Sequence, residues 1–132
     1  MAPPLRVLAV HHNRILLEGI CVLIAMQPDL ELVGSVAAAD HAIRLFAELR
    51  PDLTLMDLEL PSDGGMDTLY RVLQIDPAAW VIALITDECD ARSLQAAGAG
   101  ATAVLAQDRI GHTLIPLIRA ERARKCPVPE NR

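Results

Sequence analysis

The chain has 132 residues, a net charge of -5 and 52% hydrophobic residues, which suits one domain with a sizeable core. The acidic balance and the scarcity of aromatics (Phe46, Tyr70 and Trp80) argue against nucleic-acid binding by this stretch itself. No uninterrupted apolar run approaches the roughly 18 residues of a membrane span, and Met1–Pro4 lacks the pattern of a secretory signal. Cys21, Cys89 and Cys126 have no metal-ligand spacing, so a cytoplasmic location with free thiols is expected.

Leu5–Val10 reads as a buried strand ending at His11-His12. From Asn13 to Met26, Leu16, Ile20, Leu23 and Ile24 fall on one helical face, until Gln27-Pro28 stops the helix. Leu30–Val36 is predicted as a second strand and Ala38–Arg50 as a second helix, capped by Asp40 with Ile43, Phe46 and Leu49 inward. Leu53–Asp57 is an oily strand ending in a carboxylate, which costs several kcal/mol to desolvate without a partner. After the loop Pro61–Gly65 comes a third helix, Met66–Ile75, with Leu69, Val72 and Leu73 apolar. Trp80–Ile85 is a fourth strand ending at Thr86, and Asp87–Ala97 a fourth helix closed by Gly98 or Gly100. Ala101–Ala106 is a fifth strand, followed by Gln107-Asp108.

The last helix lies within Ile110–Lys125. Pro116 inside it would cost about 3 kcal/mol, so a late start capped by Thr113 is predicted. Arg119, Arg122, Arg124 and Lys125 read as a solvated basic face or the approach to a linker, and Cys126–Glu130 has linker composition.

Five strand-then-helix units predict an α/β fold, a flavodoxin-like (βα)5 doubly wound parallel sheet with strand order 2-1-3-4-5. That topology gathers His11, His12, Asp57, Thr86 and Gln107 at the carboxyl ends of the strands.

LRVLAV, LEGICVLI, LELVGSV, PDLTLMDLELP, WVIALIT and AGAGATAVLAQD follow one another in the order of a known family. Over about residues 5–120 the chain resembles the receiver domains of bacterial two-component response regulators, in the branch that precedes a LuxR-type helix-turn-helix domain. The resemblance implies a receiver over residues 1–125 and a linker or tail over 126–132, leading toward a DNA-binding domain not present here. It implies that Asp57 takes a phosphoryl group from a sensor histidine kinase, with Mg²⁺ held by an acidic pair after the first strand and by the Glu59 carbonyl. Thr86 would bond the phosphoryl oxygens, a lysine after the fifth strand would grip them, and an aromatic on that strand would swing in response.

Here the chain departs from the pattern. His11-His12 stand for the acidic pair, Gln107 for the lysine and Val104 for the aromatic. Mg²⁺ wants oxygen ligands, so its binding is expected to be lost. An atypical receiver that signals by binding partners and by homodimerising is therefore expected, without enzymatic activity and without membrane contact. Asp57 is expected to pair with His11 or His12 and raise that histidine's pKa. Zn²⁺ or Ni²⁺ at His11, His12 and Asp57 is the weaker expectation, because successive residues at a strand end point apart. Two other functions compete: a conventional receiver phosphorylated on Asp57, and a small-molecule sensor using the cleft. An enzyme's phosphate-binding loop is missing, since the first turn has no glycine before Gly19.

Overall fold

In the computed structural model, which describes residues 3–125, five strands alternate with five α-helices. They are β1 (Leu5–Val10), α1 (Arg14–Ala25), β2 (Leu30–Val36), α2 (Ala39–Leu49), β3 (Leu53–Asp57) and α3 (Gly64–Ile75). Then come β4 (Trp80–Ile85), α4 (Ala91–Ala99), β5 (Ala103–Ala106), a 3₁₀ turn at Gln107–Arg109 and α5 (Ile110–Lys125). The sheet is parallel throughout, in the order β2-β1-β3-β4-β5. The expected tail, with Cys126, lies outside the described residues.

Strand alternation divides the core into two layers. Val7, Ala9, Leu53 and Leu55 face α1 and α5 through Leu17, Ile20, Ile24, Leu114 and Ile118. Leu8, Val10 and Met56 face α2, α3 and α4 through Phe46, Leu69, Val72 and Ala96. The five residues of β3 are all buried, which fixes it as the centre of the sheet. Thr54 is among them, fully buried, and its Oγ1 has no hydrogen-bond partner. Thr54→Val keeps the shape and removes the unsatisfied hydroxyl. It is expected to add about 1 kcal/mol of stability, read as a melting temperature raised by roughly 4 °C.

Four local expectations are corrected. On α1 the buried face is Leu17, Ile20 and Ile24, with Leu16 and Leu23 only partly covered. Helix α2 starts at Ala39, so Asp40 lies in its first turn, where a negative charge favours the helix N-terminus, and it is no cap. Helix α4 starts at Ala91 rather than Asp87. Asp87 instead closes a local turn, its Oδ1 accepting from the Cys89 N–H, and Asp90 caps the helix through the Arg92 N–H. The greatest departure is in α5, which begins at Ile110 and carries Pro116 in its interior. Ile110, Leu114 and Ile118 are one helical stripe sunk into the core, and their burial outweighs the hydrogen bond that proline removes.

The basic residues at the end of α5 are tied down, not simply solvated. The Arg119 guanidinium donates to both Asp29 oxygens, at 3.0 and 2.9 Å, and to Gln27 Oε1 at 2.9 Å. Arg122 donates to the Pro3 carbonyl at 2.8 Å, and Lys125 Nζ sits 5.2 Å from the Trp80 ring centroid. No helix among the described residues is long and apolar enough to cross a membrane.

Candidate functional site

The strand order puts the ends of β1 and β3 side by side, and Asp57 closes β3 with no exposed surface. The tight loop behind it carries Ser62 and Asp63 in left-handed backbone, φ 60° and 57°, and brings the start of α3 back onto the strand end. Gly65 completes that approach. A Cβ there would lie 2.3 Å from the Asp57 carbonyl oxygen.

Both carboxylate oxygens of Asp57 are taken. Oδ1 accepts the Glu59 N–H at 2.8 Å. Oδ2 accepts the His12 N–H at 3.1 Å and lies 2.5 Å from His12 Nδ1. A carboxylate only accepts, so His12 Nδ1 carries the proton in that contact. The expected partnership with a histidine is therefore made by His12. His11 lies differently: its Nδ1 accepts the Asn13 N–H at 3.0 Å and stands 3.6 Å from Asp57 Oδ2, beyond hydrogen-bond reach. The proton of neutral His11 is then on Nε2, which is buried without a partner. Burial holds this imidazole below the ordinary histidine range, and Asp57 opposes that shift without reversing it. His11 is not the paired histidine, and at its position desolvation outweighs the acid neighbour.

The two imidazoles also do not diverge. They lie beyond the last residue of β1, so strand alternation no longer governs them, and their rings stack with centroids 5.2 Å apart and planes 14° apart. Ligand atoms of His11, His12 and Asp57 fall within 4.8 Å of one another. Proximity is not convergence, however. His12 Nδ1 is engaged with Asp57 Oδ2 and His11 Nδ1 with the Asn13 N–H, so these ligand atoms are turned to protein partners in this structure. The donor set fits Mg²⁺ no better, because the end of β1 offers nitrogen where that ion takes oxygen, and His12 already fills Asp57 Oδ2.

Across the cleft, Thr86 follows β4 and Gln107 follows β5, and both meet the Glu59 side chain. Thr86 Oγ1 donates to Glu59 Oε1 at 2.5 Å and the Thr86 N–H to Oε2 at 3.3 Å. Gln107 Nε2 donates to Oε1 at 3.4 Å. From the first turn of α4, Arg92 reaches the same carboxylate at 3.5 Å while donating to Asp90 at 2.7 Å and to the Leu58 carbonyl at 3.1 Å. The Arg92 guanidinium holds the Asp90 carboxyl down at about 2. Val104 stands apart from these contacts, partly buried against the α2–α4 layer of the core.

The cleft thus unites His12, Asp57, Glu59, Thr86 and Gln107 through contacts, with His11 alongside. Sequence reading assigned Glu59 only its carbonyl and missed Arg92 altogether. The cleft thus holds the Glu59 carboxylate and the Arg92 guanidinium beside Asp57. An acid two residues past the strand end, facing a base two residues past an Asp cap, was the available signal.

Residues 7–119 match the response regulator receiver domain family, and the chain belongs to it. It is 33% identical over 98 residues to the transcriptional regulatory protein YhcZ of Bacillus subtilis, covering 74% of this chain and 45% of that one. To response regulator GacA of Pseudomonas viridiflava it is 32% identical over 99 residues, covering 73% and 46%. The chain spans less than half the length of these relatives. Among solved structures, a LuxR-family two-component response regulator from Aurantimonas sp. superposes with a TM-score of 0.85 at 31% identity, covering 92% of this chain and 86% of that one.

Proposed function

We propose that this is an atypical receiver of a LuxR-type transcriptional regulator, one that signals by binding and is not switched by Mg²⁺-dependent phosphorylation of Asp57. The observation that carries this reading is the closure of Asp57: three N–H donors cover its two oxygens, one of them from the His12 imidazole. An oxygen that must attack phosphorus is here bound to an imidazolyl proton. The acidic pair that would hold an ion after β1 is replaced by His11-His12, and the lysine that would grip the phosphoryl oxygens after β5 by Gln107. Phosphoryl transfer depends on positioning and charge stabilisation, and each missing donor costs roughly 10²–10³ in rate.

Output then comes from what the folded surface meets: a second copy of the chain, a sensor kinase held as a docking partner, or both. DNA is contacted through a separate domain, as the LuxR-family likeness suggests, in the cytoplasm where such regulators work. No chemistry is catalysed by the cleft itself. Incubation with acetyl phosphate and Mg²⁺, followed by intact-mass measurement, is expected to leave Asp57 unmodified. Stoichiometric, acid-labile phosphate on Asp57 would refute the proposal.

A further inference from the structure

The Glu59 side chain accepts hydrogen bonds from three residues, Thr86, Gln107 and Arg92. The hydroxyl and N–H of Thr86, the Gln107 amide and the Arg92 guanidinium all point at its two oxygens. These donors come from three places in the fold: the end of β4, the end of β5 and the first turn of α4. Their convergence owes nothing to sequence proximity, since Glu59 lies 27 residues from Thr86, 33 from Arg92 and 48 from Gln107. A hydroxyl, a backbone N–H, an amide and a guanidinium aimed at one point are the equipment of an oxyanion site. Without Glu59 the Thr86 and Gln107 donors would lose this partner, while Arg92 would keep Asp90 at 2.7 Å.

We infer that Thr86, Gln107 and Arg92 form an oxyanion pocket and that the Glu59 carboxylate is its tethered occupant. Tethering presents the carboxylate at an effective concentration in the millimolar range or above, so a free anion of modest affinity does not displace it. Removing the tether opens the pocket to a small oxyanion such as phosphate or acetate. While Glu59 stays in place, Thr86 and the start of α4 are held in one arrangement without any modification of the chain. This rests on the preceding proposal that Asp57 is not the site of anion capture.

The test is titration of inorganic phosphate into the wild-type chain and Glu59→Ala, following the Thr86 amide by ¹H–¹⁵N NMR. Phosphate is expected to move that amide in Glu59→Ala with binding at least about tenfold tighter than in wild type. Acetate is expected to act in the same way, and adding Arg92→Ala to Glu59→Ala is expected to abolish the response. Should Glu59→Ala not fold, Glu59→Gln serves, because it keeps the size and removes the charge. Its Thr86 amide is expected to shift from the wild-type position and to respond to phosphate. Equal phosphate affinity in wild type and variant, or a Thr86 amide indifferent to Glu59, would overturn the inference. Phosphate found covalently on Asp57 of the wild-type chain strikes instead at the preceding proposal, and the two failures are told apart by mass.

Discussion

Gly65→Ala is expected to destabilise the fold by roughly 3 kcal/mol, at the upper end of overpacking, seen as a urea midpoint lowered by on the order of 1.5 M. The reason is contact with backbone, which cannot rotate away. A methyl at this position would meet the Asp57 carbonyl oxygen at 2.3 Å and the Leu58 Cα and carbonyl carbon at 2.5 Å. Either α3 lifts off the end of β3 or the strand end moves, and both displace Asp57. Gly19 and Gly98 are the internal controls. Each lies in a helix with nothing within 4 Å of an added Cβ, so alanine there is expected to stabilise by about 0.5–1 kcal/mol. If Gly65→Ala behaved like those two, the close seating of α3 on the cleft would be wrong.

The second large effect concerns Asp57 itself. In a cleft of crowded carboxylates, removing one relieves repulsion and stabilises the fold. Here the carboxylate accepts three N–H bonds and is wholly buried, so Asp57→Ala strands the donors of His12 and Glu59. A loss of about 3 kcal/mol is expected, given roughly 1.5–3 kcal/mol for hydrogen bonds to a charged group and partial rehydration of the half-exposed His12. Asp57→Asn keeps one acceptor and is expected to lose less. Denaturation of both variants measures the difference, and a rise in stability for Asp57→Ala would place the protein back among acid-crowded, ion-dependent clefts.

Much of this was legible before any coordinates. The oily run from Leu53 to Met56 could only be a strand covered on both faces, and its carboxylate had to find donors. Regular strand–helix alternation fixed the sheet order, and with it the meeting of Asp57, Thr86 and Gln107. What escaped was governed by direction and competition rather than by period. His11 and His12 leave the strand before its alternation reaches them, so no pattern says where their rings go. Glu59 turns back into the cleft on a loop with two left-handed residues, a path that hydrophobic spacing does not record. Arg92 was hidden because the fourth helix was expected to start at Asp87 rather than Ala91, which puts the arginine in the wrong turn. Pro116 misled because its local penalty was weighed without the burial of Ile110, Leu114 and Ile118 around it.

The two-pronged grip of Arg119 on Asp29 joins the far end of α5 to the turn that follows α1. The pair is roughly half exposed and adds only about 0.2–1 kcal/mol to a seating fixed chiefly by Ile20, Ile24, Leu114 and Ile118 in the core beneath it. A surface whose two helices are packed in advance would ask less ordering entropy of anything that covered both.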